Sequence, residues 1–156
     1  MNNNALLAHL QQALGLDEAR VAHLFALSGS PLDSAAVGDR LRATDPVPCS
    51  DREIGAFLDG LILDRRGPRP ADAPAPKAGK ARLKATNNVV LKKLRIALAL
   101  KEEETAAVFA AGGLPMDHYA LGALFRQEGQ THFRACTDVQ LLAFVKGISA
   151  VAGASA

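Results

Sequence analysis

The sequence predicts an all-α protein formed by tandem duplication of a compact four-helix unit. Three observations support this fold class: a direct internal repeat, apolar residues at helical spacing in both copies, and no segment with the alternation typical of a strand. A chain of 156 residues has room for one domain or two half-sized ones. The repeat divides it into a first unit at 1–64, a flexible basic linker at 65–85 and a second unit at 86–151.

The internal repeat is direct, and its offset of 84 residues becomes 87 after a three-residue insertion. Near the start of each unit the matched positions are Asn3, Asn4, Leu7, Leu10 and Leu14 with Asn87, Asn88, Leu91, Leu94 and Leu98. Towards its end they are Cys49, Asp51, Phe57 and Gly60 with Cys136, Asp138, Phe144 and Gly147. Because an internal repeat fixes the architecture, it takes priority over any local pattern.

The first helix of each unit carries an apolar stripe, and in the first copy an Asn that can cap the helix precedes it. The stripes are Leu6, Leu7, Leu10, Ala13 and Leu14, and Val90, Leu91, Leu94, Ala97 and Leu98. The second helix runs from about Asp17 to Leu27 and stops at Gly29. Gly113 holds the same place in the second copy, as expected for the left-handed position that follows many helices.

The third helix is expected to begin after Pro31 and Asp33 and to end near Arg42. The same signals recur in the second copy at Pro115, Asp117 and Arg126. The fourth helix begins with a capping box, at 50–53 in one copy and at 137–140 in the other. Its predicted core positions are Ile54, Phe57, Leu58 and Leu61, and Leu141, Phe144, Val145 and Ile148.

Composition excludes several classes of protein. Hydrophobic residues make up 49% of the chain and charged residues 22%, which is typical of a globular protein and not of a disordered one. No run of 18 apolar residues is present, so we expect no membrane partner. The N-terminal residues lack the positive region of a secretory signal, and two cysteines fit a reducing compartment. We therefore expect a cytoplasmic protein.

Charge is distributed unevenly along the chain. Residues 1–63 carry a net charge of −4, residues 64–95 carry +8, and residues 96–156 carry −2. We call residues 64–95 the basic middle. The linker within it holds four of the eight prolines and seven of the eighteen basic residues, so we expect it to be extended and mobile.

Two long stretches of sequence resemble a known bacterial family. The first contains Val47-Pro48-Cys49-Ser50-Asp51, Phe57-Leu58-Asp59-Gly60-Leu61-Ile62 and Arg65-Arg66-Gly67. The second contains Asn87-Asn88 and Leu91-Lys92-Lys93-Leu94-Arg95-Ile96-Ala97-Leu98. Both resemble the YehS-like family, which is also called domain of unknown function 1456, and the resemblance covers nearly the whole chain outside the linker and the tail.

The resemblance implies a small bacterial cytosolic protein that carries the domain twice. It implies no activity and supplies no catalytic residues. The chain departs from the family pattern in its long linker, rich in alanine and proline. In the second copy, moreover, Lys101 stands where Asp17 caps the second helix of the first copy.

Cys49 and Cys136 hold equivalent positions just before a helix, where the helix dipole favours a thiolate. This placement is compatible with a redox pair or with half of a metal site. The alternative is a hydrophobic staple, in which each cysteine packs on Ile54 or Leu141. We favour the staple and predict no metal, because the chain has no C-x-x-C motif and no histidine pair nearby.

The remaining candidates for chemistry are weak. The four histidines form two pairs with a spacing of fourteen residues, His9 with His23 and His118 with His132, but the repeat does not relate the pairs. We expect them at the surface. Asp51 and Asp138 are explained by the helix dipole rather than as general bases. Because no P-loop, zinc-protease, nucleophile-elbow or dinucleotide motif occurs, we predict no enzyme, no catalytic residue and no cofactor.

The basic middle is the feature that points to a partner. Its candidate nucleic-acid-binding residues are Arg65, Arg66, Arg82, Lys84, Lys92, Lys93 and Arg95. The first-copy counterparts of the last three are Ala8, His9 and Gln11, so an outer helix face became basic while the apolar stripe was kept. Such charges bind the phosphate backbone of RNA or DNA with a steep salt dependence and little base preference. The absence of Trp and the single Tyr argue against base stacking.

Two other classes of function stay open. The segment around Gly29 is similar to a helix-turn-helix of a DNA-binding regulator, although its turn at 28–32 is longer than usual. Alternatively, the two units pack on each other as a pseudo-symmetric pair, or each pairs with a second chain by swapping. We predict a non-enzymatic binding or assembly module that forms a homo-oligomer or binds another protein. An enzyme with an unrecognised site is the least favoured alternative.

Overall fold

The computed structural model describes residues 2–29, 32–42, 44–66, 86–126 and 129–155. Within these ranges the first half contains α1 (Asn3–Leu14), α2 (Glu18–Leu27), α3 (Ser34–Leu41) and α4 (Asp51–Arg66). The second half contains α5 (Asn87–Ala97), α6 (Glu102–Ala111), α7 (His118–Leu124) and α8 (Asp138–Ser155). The described residues form helices and no strand, so the predicted all-α class and the duplicated four-helix unit are confirmed.

The predicted linker at 65–85 lies almost entirely outside the described residues, since only its first two residues are placed. These two, Arg65 and Arg66, belong to the last turn of α4, because the helix continues past the point where we placed the end of the first unit. Pro31, which we expected to turn the chain before the third helix, also lies outside the described residues.

The helices begin where the polar sequence signals predict. The Asp33 carboxylate caps α3 by accepting a hydrogen bond of 2.7 Å from the Ala36 N–H. Asp117 caps α7 in the same way, with the Ala120 N–H as donor at 2.7 Å. Both predicted capping boxes form. At the start of α4 the Ser50 N–H donates to the Glu53 carboxylate and the Glu53 N–H donates to the Ser50 hydroxyl. At the start of α8 Thr137 and Gln140 exchange the same two bonds. Side-chain oxygens satisfy N–H groups that a helix start leaves without intrahelical partners.

The start of α6 has no side chain that accepts a hydrogen bond from the free N–H groups of its first turn. Lys101 occupies the capping position and its ammonium cannot accept a hydrogen bond. Glu104 instead accepts from the Lys101 backbone N–H at 3.1 Å, which is one half of a capping box. The buried Thr105 hydroxyl donates to the Lys101 carbonyl at 2.8 Å, so this polar group has its partner within the helix.

Both halves contribute to one hydrophobic core. Every core position predicted on α4 and α8 is buried, and so are the central residues of the stripes on α1 and α5. Phe25 and Phe57 lie with ring centroids 5.9 Å apart, and the equivalent Phe109 and Phe144 lie 5.1 Å apart. These buried residues form a single cluster that runs through both halves.

The core is continuous because the halves exchange their first helices. α1 packs chiefly on α8 of the other half, and α5 packs chiefly on α4; each contacts the fourth helix of its own half much less. Under the repeat, one of these pairs is the image of the other. The two copies therefore pack on each other within one chain as a pseudo-symmetric pair, which was one of the arrangements that the sequence left open.

Within each half, a glycine brings two helix backbones into close contact. A Cβ atom added at Gly60 of α4 would lie 1.8 Å from the Leu24 carbonyl oxygen of α2. In the second half, a Cβ at Gly147 of α8 would lie 1.8 Å from the Val108 carbonyl oxygen of α6. Only glycine allows this approach, so the repeat keeps glycine at both places for packing.

We expect Gly60→Ala and Gly147→Ala each to lower the free energy of unfolding by about 3 kcal/mol or more. The reason is steric, because the new methyl group meets a backbone carbonyl that moves only if the two helices separate. Urea unfolding followed by far-UV circular dichroism measures the loss.

Gly55 supplies the matched control on the same helix as Gly60. A Cβ at Gly55 meets no atom within 4 Å, so Gly55→Ala should raise the free energy of unfolding by about 0.5–1 kcal/mol through helix propensity alone. Equal effects of Gly55→Ala and Gly60→Ala would contradict the close approach of α2 and α4.

Candidate functional site

The structure describes only some of the seven basic residues predicted to bind nucleic acid. Arg82 and Lys84 lie outside the described residues, as does the side chain of Arg66. Arg65 is exposed in the last turn of α4, and Lys92 is exposed on α5. One of these side chains precedes residues 67–85, which lie outside the described part of the chain, and the other follows them.

Lys93 is placed differently from what the sequence suggested. Its ammonium forms an ion pair with the Asp59 carboxylate of α4, and its side chain is only 18% exposed. Lys93 therefore lies where α5 packs on α4 and joins the two halves, and its role in nucleic-acid binding stays a prediction. Its charge has a structural explanation that does not require nucleic acid.

Arg95 is also engaged within the protein. Its Nε donates to the Leu100 carbonyl at 3.1 Å, and its guanidinium lies 4.6 Å from the centroid of the Phe125 ring. A guanidinium over a ring face gains a cation–π interaction. The first copy has Gln11 and Leu41 at the positions of Arg95 and Phe125, so the cation and the ring occur together in the same copy.

A shallow depression of about 420 Å³ lies beside Arg95. Its lining includes Lys92 and apolar groups of Ile96, Leu100 and Phe125. Lys92 is thus the member of the predicted α5 set that stays exposed, while Lys93 and Arg95 are half-buried.

The two cysteines lie in the core and not in a reactive environment. Cys49 is 7% exposed and Cys136 is 6% exposed, and both belong to the core cluster. Burial, followed by the nearby Glu53 carboxylate, raises the pKa of the Cys49 thiol to about 12. Burial likewise raises the pKa of Cys136 to about 11. Desolvation therefore outweighs any stabilisation of a thiolate by the helix start.

A pair of asparagines fixes the segment that contains each cysteine. The Asn88 amide group donates to the Leu124 and Arg134 carbonyls at 3.0 and 2.9 Å, and its oxygen accepts from the Cys136 N–H at 2.8 Å. Asn4 makes the equivalent three bonds in the first half, with Arg40, Val47 and Cys49 as partners. Each side chain thus joins the first helix of its half to the end of the third helix and to the loop before the fourth.

The neighbouring asparagines extend the same arrangement. Asn3 donates to the Cys49 carbonyl at 3.1 Å and to the Asp51 carboxylate at 2.7 Å. Asn87 repeats these bonds to Cys136 and Asp138 at 3.0 and 2.8 Å. This role was not predicted, although the repeated Asn-Asn dipeptide was its signal in the sequence. Asp51 and Asp138 are bound by amide groups, which explains them without a catalytic role.

The histidines of the second half line one open groove. His118 and His132 lie on it together with Tyr119, and its volume is about 1000 Å³. We call this cavity, between α7 and residues 132–134, the α7 groove. The Nδ1 atom of His118 lies 2.6 Å from a carboxylate oxygen of Glu102. Within the described part of the chain, no three His, Cys, Asp or Glu side chains are grouped as metal ligands would be.

The fold and this arrangement define a class of duplicated four-helix proteins whose two copies share a core. A family model described as "Protein of unknown function (DUF1456)" matches residues 3–67 and again residues 87–151. The chain therefore belongs to the DUF1456 family and carries its domain twice, as the resemblance implied.

A sequence relative gives the same assignment. The chain is similar to "Uncharacterized protein YehS" of Escherichia coli (strain K12), with 29% identity over 153 residues that cover 96% of each chain. No solved structure matches this chain. Among the described helices, none combines the length and the apolar character needed to cross a bilayer.

We expect Asn88→Ala to lower the free energy of unfolding by about 2–3 kcal/mol, because two carbonyls and one N–H lose their partner. Asn88→Asp should cost more than Asn88→Ala at neutral pH, since it places a carboxylate against the same two carbonyls. Urea unfolding of the three proteins measures both differences. An Asn88→Asp protein as stable as the wild type would contradict the bonding described here.

Proposed function

We propose that this protein is a non-enzymatic helical binding module that contacts the phosphate backbone of RNA or DNA through its basic middle. The observation that carries the proposal is the charge of +8 in residues 64–95, between halves of net −4 and −2. Phosphate neutralisation by Lys and Arg releases counterions and drives binding of this kind.

The placement of α4 and α5 supports this proposal. The Asp59–Lys93 ion pair joins the two helices, and each residue lies about two turns or less from the helix end that leads into the linker. At a rise of about 1.5 Å per residue, both linker ends start within roughly 10 Å of this ion pair along the helix axes. The exposed Arg65 and Lys92 therefore both lie on the helix segments that border residues 67–85.

The non-enzymatic part of the proposal rests on the chemistry of the chain. No catalytic motif is present in the sequence, and the thiols, its strongest potential nucleophiles, are buried and held in the protonated form. The helix-turn-helix alternative has no observation in its favour. α3 carries Arg40, but that guanidinium is bonded to Glu53 at 2.5 Å and its side chain is 15% exposed.

The homo-oligomer and the cytoplasmic location stay predictions. The intrachain pairing of α1 with α8 and of α5 with α4 covers the faces that a swapped dimer would exchange. An oligomer of this protein would therefore use other surfaces, and light scattering of the purified chain gives its mass in solution.

Binding can be tested with fluorescently labelled single-stranded and double-stranded RNA and DNA, by anisotropy at two salt concentrations. We expect an apparent affinity that falls steeply with salt for all four probes. Replacing Arg65, Arg82, Lys84 and Lys92 with Gln should weaken binding at least tenfold. It should also reduce the salt slope by about 0.9 for each lost phosphate contact with duplex DNA and by about 0.7 with a single strand.

The control removes charge elsewhere, at the exposed Arg52 and Lys146. Arg52→Gln with Lys146→Gln should change affinity only slightly, because Arg52 lies in the first turn of α4, far from the end that leads into the linker, and Lys146 lies on α8. Equal losses in both variants would assign the effect to net charge alone. That result, or no binding to any probe at low salt, would contradict the proposed interface.

A further inference from the structure

The surface of the second copy differs from that of the first around the α7 groove. Five lining positions of the groove are His118, Tyr119, His132, Phe133 and Arg134, and the first copy has Ser34, Ala35, Asp45, Pro46 and Val47 there. The backbone supports this alignment, because His132 and Asp45 share an uncommon positive φ, of 68° and 50°. The second copy thus gained four aromatic rings and a cation and lost a carboxylate.

The fold does not require these changes. The first copy forms the same helices with small and acidic residues at the matched positions. Tyr119 is 85% exposed, so its ring adds little to the core. Four of the six phenylalanines, by contrast, are fully buried. An exposed ring among cationic and imidazole groups is typical of a surface that binds a ligand.

Two of the rings of the groove contact each other, and one of them contacts a carboxylate. The Glu102 carboxylate lies 2.6 Å from His118 Nδ1 and orients that imidazole. The Tyr119 ring stands edge-on to it, with centroids 5.5 Å apart and an interplanar angle of 72°. Because Tyr119 is 85% exposed beside this imidazole, its ring is open to stacking by a ligand.

The opposite wall of the groove is fixed by its backbone. The Arg134 N–H donates to the Ala123 carbonyl at 3.1 Å, and the Arg134 carbonyl accepts from Asn88 at 2.9 Å. The side chains of Arg134 and Arg126 are exposed, and among the described residues neither guanidinium has an ion-pair partner. Two such guanidinium groups are suited to a phosphate.

We propose that the α7 groove binds a nucleotide, with its base stacked on Tyr119 and its phosphate between Arg126 and Arg134. A volume of about 1000 Å³ admits a free nucleotide or successive nucleotides of a single strand. A duplex does not fit this chemistry, because its bases are already stacked on one another. The groove uses no residue of the basic middle, so this inference stands or falls separately from the proposed function.

The chain allows a direct test, because it has one Tyr and no Trp. Its tyrosine emission therefore reports on Tyr119 alone, and a base stacked on the ring quenches it. The titrants are a twelve-nucleotide oligothymidylate, adenosine monophosphate and inorganic phosphate, each corrected for absorbance with free N-acetyltyrosinamide. We expect saturable quenching by the oligonucleotide, by the mononucleotide or by both, and none by phosphate.

The matched control moves the tyrosine to the equivalent place in the first copy. In a protein with Tyr119→Ala and Ala35→Tyr, the imidazoles and Arg134 have no counterpart beside the ring, and Arg42, which holds the place of Arg126, is ion-paired with Asp39. We therefore expect no saturable quenching. Arg126→Gln with Arg134→Gln should weaken quenching of Tyr119 about tenfold, whereas Arg65→Gln with Lys92→Gln should leave it unchanged.

The outcomes separate the sources of the ligand. Quenching by the oligonucleotide alone assigns the groove to single-stranded nucleic acid, and quenching by the mononucleotide assigns it to free nucleotides as well; both support the proposal. Three results would overturn it: no saturable quenching by either, equal quenching by phosphate alone, or equal quenching of the tyrosine at position 35.

Discussion

The apolar face of α1 is covered mainly by a helix of the other half of the chain. α8 covers α1, and α4 covers α5, so each four-helix unit receives from its copy the packing partner that it lacks. The resulting core is one cluster, not two. Because hydrophobic burial is the main favourable term in folding, neither half is complete without the other. The close approach at Gly60 and Gly147 then fixes α2 and α6 on this shared core.

The shared core constrains the buried residues of both copies, whereas their exposed residues can differ. The Asn4 and Asn88 bonds, the capping boxes and the buried phenylalanines are the same in both halves. The two copies differ at positions where the fold does not depend on the side chain. At the α5–α4 contact Lys93 meets Asp59, whereas the repeat places His9 and Lys146 at the equivalent positions of the α1–α8 contact. The two interfaces therefore match in shape and differ in charge.

The sequence predicted the local structure well because the signals for it are local. Stripes such as Leu6 to Leu14, the capping boxes and the left-handed glycines after α2 and α6 all depend on residues a few positions apart. The exchange of first helices was only one of the predicted alternatives. A repeat shows which helices each unit contains, but it does not show which helix packs on the first helix of each unit. The ion pair of Lys93 was not predicted for the same reason, because its partner Asp59 lies 34 residues away. The α7 groove was missed because its two walls are separated by the loop that precedes residue 132.

The central claim, that both halves form one cooperative unit, is tested most directly by thiol labelling in increasing urea. Cys49 and Cys136 provide one buried thiol in each half, and tryptic peptides distinguish their labelling by mass spectrometry. A shared core predicts the same free energy of opening at both cysteines, equal to that of global unfolding by circular dichroism. Labelling of one cysteine at urea concentrations that leave the other protected, with half of the helical signal retained, would contradict the account.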